Sequence, residues 1–243
     1  MRRKLRLATL LLVALLPGPL KRWAYRWGFG YRIGVRVRIG VVLLDASEVV
    51  LGDETTLASF CAVVRVGRFE TGRRARVGPL NLIRGGERVT LGAYSTVMRF
   101  NVLNAIPDHD CTTEPRSILA LGDGAIVVSG HRIDFTDRVT IGRNVIIGGR
   151  NSSLWTHNRQ QTAPIEIGDY CYLGSEVRLA PGAALPERCI LGLGAVLTGR
   201  VETPGCLVAG VPARVVRELS AEDQVLINAK TRPDIPEDLY GES

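Results

Sequence analysis

From Ile167 the chain divides into six consecutive six-residue units, each opening on a large aliphatic: Ile167, Leu173, Leu179, Leu185, Leu191 and Leu197. The fifth position of each unit is small or β-branched: Cys171, Val177, Ala183, Cys189, Ala195 and Val201. One large and one small apolar residue per six suits neither a 3.6-residue helix nor simple alternation. It suits a triangular coil in which each unit is one short strand plus a corner and three units close a turn. The large aliphatic then points inward, the Gly that often follows permits a tight corner, and turns stack at about 4.8 Å. The 27 glycines agree with many short strands and tight corners, and 243 residues suffice for one domain with a sizeable core. Cys171 and Cys189 hold the same position in adjacent turns, so they are expected to stack inside the prism as free thiols.

The same signature recurs at Ile39-Gly40, Leu51-Gly52, Leu91-Gly92, Leu121-Gly122 and Ile141-Gly142, which places the coil over 33–215. Its spacing is uneven. Gly122 to Gly142 is 20 residues, a turn with a two-residue bulge; Gly142 to Gly168 is 26 and Gly92 to Gly122 is 30. The surplus predicts loops over 157–164 and 104–117. Both leave after the third strand of their turn, so they should emerge at one corner with one turn between them. Loops on a rigid scaffold are where chemistry tends to sit. The three histidines gather there: His109 in the first loop, His157 at the root of the second, His131 on the turn between.

Residues 1–44 hold ten Lys or Arg and no acid, whereas the rest carries 21 basic and 24 acidic side chains. A nucleic-acid partner would need a basic face on the body, which this composition excludes. The apolar run from Leu7 to Leu16 spans about 15 Å as a helix, too short for roughly 30 Å of bilayer hydrocarbon. Cations and aromatics then interleave from Lys21 to Tyr31, which suits a headgroup region. Residues 1–32 are therefore expected to lie against a membrane surface, the alternative being a cap over the open end of the stack. The five cysteines (Cys61, Cys111, Cys171, Cys189, Cys206) form no CxxC pair or zinc spacing. An odd number without a framework fits a reducing compartment, hence a cytoplasmic protein, peripheral at the inner face of the membrane.

Thr156-His157, Pro164-Ile165-Glu166-Ile167-Gly168-Asp169 and Gly210-Val211-Pro212-Ala213-Arg214 resemble the hexapeptide-repeat acyltransferases. Within them the chain is similar to O-acetyltransferases acting on sugars, including maltose and galactoside acetyltransferases and enzymes of surface-polysaccharide synthesis. The likeness runs over 119–217; over 40–118 the repeat alone supports it. The resemblance implies a left-handed parallel β-helix, a homotrimer, and acetyl-coenzyme A as co-substrate in the groove between two subunits, with no metal. It implies His157 as the general base, taking the proton from an acceptor hydroxyl, a role suited to a group titrating near neutrality. It aligns the Ser175 amide with an oxyanion-binding donor, and Leu193 with a backbone contact to the pantetheine arm. Thr198 matches a Thr-Lys pair whose Lys is Gly199 here, which leaves Arg200 or Arg214 for the coenzyme phosphates. His131 falls within two residues of a polar side chain that reaches the acceptor from a neighbouring subunit. With Asp134 it either contacts substrate or holds a second catalytic proton, or else is a corner polar pair. His109, flanked by Asp108 and Asp110, either binds the acceptor or is a solvated loop residue.

Two other readings use the same coil. A γ-carbonic-anhydrase-like enzyme needs three zinc histidines, two of them close in sequence; His109, His131 and His157 lie 22 and 26 residues apart. A non-catalytic scaffold leaves Thr156-His157 and Gly210–Arg214 unexplained. Over 216–243, Ser220 with Glu222 and Asp223 predicts a capped short helix, and a Pro-rich tail begins at Arg232.

Overall fold

The computed structural model describes residues 3–106 and 116–239, so His109 and Cys111 lie outside the described residues. The chain winds into a three-sided parallel solenoid. The first face is built on Arg32–Ile33, the ends of Val42–Leu51 and Cys61–Thr71, Arg88–Leu91, Ile118–Leu121, Val139–Ile141, Ile165–Ile167 and Ala184–Leu185. The second runs from Arg38–Ile39 to Cys206–Gly210. The third contains Leu82–Arg84, Val102–Asn104, Arg132–Asp134, Ser153–Trp155, Arg178–Leu179 and Val196–Leu197. Register is strict: Leu51, Thr71, Leu91, Leu121, Ile141, Ile167 and Leu185 stack in one inward column. Each is at most 3% exposed.

Glycines at the corner after this column let the turns approach. A Cβ on Gly142 would lie 2.6 Å from the Asp169 nitrogen, and one on Gly122 2.6 Å from the carbonyl carbon of Gly142. Thr71 takes the aliphatic's place in one turn, its hydroxyl 2.9 Å from that of Thr55, and so Gly72 does not stand out in the sequence as a turn start. Cys171 and Cys189 stack as expected, the Cys189 N–H 3.5 Å from the Cys171 sulfur. Cys206 extends the column, 3.6 Å from Cys189 between sulfurs, and all three thiols are free and buried.

At the open end, α1 (Arg3–Leu15), α2 (Gly18–Trp23) and a π-helical turn (Ala24–Gly28) lie over the first turn. Leu10, Val13, Ala14 and Tyr25 join the core. Strands of the first turn have no preceding turn to take up their outward carbonyls, and a buried carbonyl left unpaired is costly. The basic segment supplies the donors: Arg6 to Ala46, Lys21 to Gly40, Arg22 to Val37 and Arg26 to Ile33, with the Tyr25 and Tyr31 hydroxyls on Val42 and Leu44. The inner side of this segment is thus a cap, the alternative that its composition left open. No helix among the described residues is long and apolar enough to cross a membrane.

At the far end Cys206–Gly210 pairs antiparallel with Ala213–Glu218. Helix α3 (Ala221–Asn228) opens on the expected Ser220 cap, the Asp223 N–H donating to the Ser220 hydroxyl. The Pro-rich segment beyond it is not a free tail. Arg232 is 6% exposed and donates to the carbonyls of Arg74 and Tyr94, and Ile235 is buried beside it. Proline content signals the lack of a helix there, but not that the segment docks.

Candidate active site

Both loops leave from the corner between the third and first faces. Asn104, Asp134 and Trp155 pair in register at its edge, so the two loop roots flank the turn bearing Asp134. The Asp134 carboxylate, 2% exposed, ties all three turns together. It accepts from the Thr156 hydroxyl at 2.7 Å, the Thr136 hydroxyl at 3.1 Å and the Thr136 N–H at 3.2 Å. Thr136 in turn accepts from the Ile106 N–H at 2.9 Å, holding the first loop's root. Thr156 accepts from the Asp137 N–H at 3.0 Å. A charged acceptor with several aligned donors is the strong form of this contact. Asp134, read from the sequence as an acceptor-binding residue, spends its carboxylate on this hub. Thr136 is the member that sequence reasoning missed.

The second loop is folded on itself. The Asn158 amide oxygen accepts from the N–H groups of Gln160 and Gln161, the Ala163 N–H returns to the Thr156 carbonyl, and Gln161 donates to Pro181 on the next turn. His157 comes directly after Thr156 and is half-buried. Its imidazole has no hydrogen-bond partner among the described residues. On the outer third face, from Trp155 two residues before His157, lies a groove of about 270 Å³ lined by residues that include Arg84, Asn104, Arg132, Asp134 and Trp155.

His131 is elsewhere. Its side chain is 1% exposed, inside the prism at the corner between the second and third faces. There it continues a polar ladder: Asn81 accepts from the Asn101 N–H, Asn101 from the His131 N–H, and His131 Nδ1 from the Ser152 N–H at 3.2 Å. Nδ1 as acceptor puts the proton on Nε2, which is buried without a hydrogen-bond partner among the described residues. Burial lowers its pKa to about 4, opposed by the Ile147 carbonyl. An imidazole walled inside the stack touches no acceptor on the outside, so the substrate-contacting or proton-holding role for His131 is corrected to a core role. It also cannot share a metal with His157 at a different corner.

The remaining residues divide between two edges. Ser175 and Leu193 sit one turn apart on the corner between the second and third faces, the Gly194 N–H donating to the Ser175 carbonyl. Neither the Ser175 nor the Leu193 N–H has a protein acceptor among the described residues. Arg214 stands exposed on the closing hairpin at that side, opposite Ala209, its guanidinium hydrogen-bonding, among the described residues, only the Ala213 carbonyl. Thr198 lies with His157 on the other edge, exposed at the end of Val196–Leu197. Arg200 beyond it is held by Glu166 at 3.4 Å and Glu202 at 3.9 Å. Within one chain His157 and Ser175 are therefore kept apart by the width of the third face, roughly 15–20 Å of extended strand.

No family model matches the chain. Galactoside O-acetyltransferase of Escherichia coli K12 is 32% identical over 101 residues, which is 37% of this chain and 48% of that protein. A candidate lipopolysaccharide-biosynthesis O-acetyltransferase of the same organism, WbbJ, is 22% identical over 45% of this chain and 65% of its own length. The chain thus spans about half the length of the first curated relatives it matches. Among solved structures, the UDP-N-acetylglucosamine acyltransferase of Campylobacter jejuni superposes with a TM-score of 0.61 at 16% identity, over 82% of this chain and 77% of that one. That likeness establishes the fold, a left-handed parallel β-helix. By its repeat and its fold the chain is similar to the hexapeptide-repeat acyltransferases.

Proposed function

We propose that this chain moves an acetyl or other acyl group from coenzyme A to a hydroxyl of a sugar or surface-polysaccharide precursor, with His157 as general base. The observation that carries the reading is the corner itself. A half-exposed imidazole without a hydrogen-bond partner among the described residues is fixed to a buried carboxylate hub through its neighbour Thr156, two residues after Trp155, which walls a groove on the third face. His157 takes the proton of the acceptor hydroxyl as its oxygen approaches the thioester carbonyl, then returns it to the departing thiolate. The bound acyl-coenzyme A supplies that thioester. The Ser175 N–H answers the charge that builds on the acyl oxygen, while Leu193, Thr198 and Arg214 bind the coenzyme arm and phosphates, with Arg200 once it exchanges its carboxylate partners.

The division of these residues between two edges argues for a trimer. If the third faces of three prisms turn toward a common axis, the His157 edge of one subunit meets the Ser175 edge of the next. The third face suits that position: its outer residues include Ala62, Val64, Leu82, Val102 and Val196. The first face is instead laced with ion pairs such as Arg68–Glu48 and Arg138–Glu166, and α3 covers part of the second. The same reading puts the protein in the cytoplasm beside the membrane, within reach of a lipid-linked acceptor.

The test is transfer of label from acetyl-coenzyme A to the host's lipid-linked saccharides. His157→Ala should lower turnover by roughly 10²–10⁴-fold with an unchanged circular dichroism spectrum. A near-normal rate in that variant removes His157 from the mechanism.

A further inference from the structure

Helix α1 is apolar on both sides. Leu10, Val13 and Ala14 close the prism. On the other side and just beyond it, Leu5, Leu11, Leu12, Leu15, Trp23 and Trp27 are each 54–78% exposed. A helix that is hydrophobic all round belongs in a fully buried place, yet half of this one is uncovered. Large contiguous apolar exposure marks an interaction surface. At 13 residues it extends about 20 Å, so it can lie in a bilayer surface but not cross it.

Charge identifies what covers it. No acid precedes Asp45, against ten cations. Arg6, Arg32 and Arg36 meet carboxylates; Lys4, Arg22, Arg26 and Arg38 have no carboxylate partner among the described residues. A second copy docking end to end would bring the same positive charge, whereas anionic headgroups complement it. Exposed tryptophans and leucines ringed by Lys and Arg are interfacial chemistry.

We propose that the cap is a docking surface for an anionic lipid bilayer, on which the solenoid stands end-on. The inference goes beyond the acyl-transfer reading and does not depend on it. Its geometry is specific, because the cap covers the first turn while Trp155 and His157 belong to a turn five strand spacings further along, about 24 Å at ~4.8 Å each. The acceptor hydroxyl would then lie well out along a membrane-anchored glycan, away from its lipid.

The three tryptophans make this readable. Vesicles of phosphatidylcholine, or of phosphatidylcholine with phosphatidylglycerol, are prepared with brominated acyl chains. In Trp155→Phe the fluorescence of Trp23 and Trp27 should be quenched several-fold more strongly by the anionic vesicles than by the neutral ones. In the Trp23→Phe/Trp27→Phe chain, Trp155 should stay unquenched. Leu12→Glu/Leu15→Glu, at exposed positions, should release the protein from sedimenting vesicles without lowering its thermal midpoint. High salt should weaken binding in part, by screening. Three results would overturn the proposal: a protein that stays in the supernatant with anionic vesicles, Trp155 quenched as strongly as the cap, or a concentration-dependent dimer that Leu12→Glu/Leu15→Glu abolishes while vesicles are ignored. The last would assign the face to a second copy. If the double glutamate variant fails to fold, the quenching comparison alone decides.

Discussion

Thr156→Val removes one hydroxyl from the corner that carries His157 and leaves its shape almost unchanged. Its hydrogen bonds go with it: the 2.7 Å donation to the Asp134 carboxylate, shared with the Asp134 carbonyl at 3.3 Å, and the 3.0 Å acceptance from the Asp137 N–H. A hydrogen bond to a charged group contributes about 1.5–3 kcal/mol, and a buried donor left without an acceptor adds about 1–3. Asp137 is half-buried, so water can take over part of that second penalty. The expected loss is about 2–4 kcal/mol of local stability, concentrated at the root of the second loop. Hydrogen exchange at the Ala163 amide, which donates to the Thr156 carbonyl, reads this directly and should speed up by at least ~30-fold, since about 1.4 kcal/mol is tenfold and the lower end of the range is about 2. Turnover should also fall, because a shift of about 1 Å in a catalytic group costs on the order of 10²-fold. Exchange at Ala163 within twofold of the parent, with unchanged turnover, would show that the Asp134 hub does not hold the site.

His131 makes the fold acid-sensitive. Between pH 6.5 and about 4 the unfolded chain protonates this imidazole and the folded chain does not, so stability drops as the pH drops across that window, by up to ~3 kcal/mol, and levels off below it. His131→Asn, which preserves an acceptor for the Ser152 N–H, should flatten that slope in urea titrations; parallel curves would contradict the core assignment. Cys61, Cys171, Cys189 and Cys206 are buried, and burial raises the pKa of Cys171 and pushes that of Cys206 up to about 12, so the four buried thiols should resist alkylation at pH 8 in the native protein. Labelling of Cys171 before unfolding, seen by peptide mapping, would refute the register of this column. Gly142→Ala puts a Cβ 2.6 Å from backbone of the next turn and should cost about 1–3 kcal/mol by overpacking, whereas a variant as stable as the parent in urea would mean the turns can part locally.

The inward columns were legible because a solenoid repeats its environment, so one register reads for every turn. The common corner of the two loops came from counting residues. His131 was misplaced although the information was present: Asn81, Asn101 and His131 are 20 and 30 residues apart, the same intervals as Gly72, Gly92 and Gly122, which marks them as one stacked column. The hub at Asp134 was hidden for a different reason. Thr136, Thr156 and Asp134 meet only because two loops bring three turns' ends into one place, and no local pattern encodes that. The docking of Arg232 on Arg74 and Tyr94 joins residues more than 130 apart in sequence and left no periodic trace. In the amino-terminal segment, composition showed cations and apolar residues but not which served the carbonyl rim and which stayed outside.

The glycine corner also governs where such a chain can grow. In every turn six residues separate the corner after the first face from the corner after the second, as in Gly72 to Gly78, Gly122 to Val128 and Gly168 to Gly174. There the backbone of the next turn occupies the space of a side chain, and one extra residue would pry two turns apart and break the ladders on both sides. The corner after the third face has no such lock: from the inward residue before it to the inward residue after it the count is 6 from Leu179 to Leu185, 8 from Val63 to Thr71, 13 from Leu154 to Ile167 and 18 from Leu103 to Leu121. The long insertions therefore fall at that corner, whereas the corner after the second face varies by a single residue, 7 from Ile147 to Leu154 against 6 from Val127 to Ile133. Loops at the corner after the third face can thus lengthen or be replaced while the glycine-locked corner keeps the pitch of the turns constant.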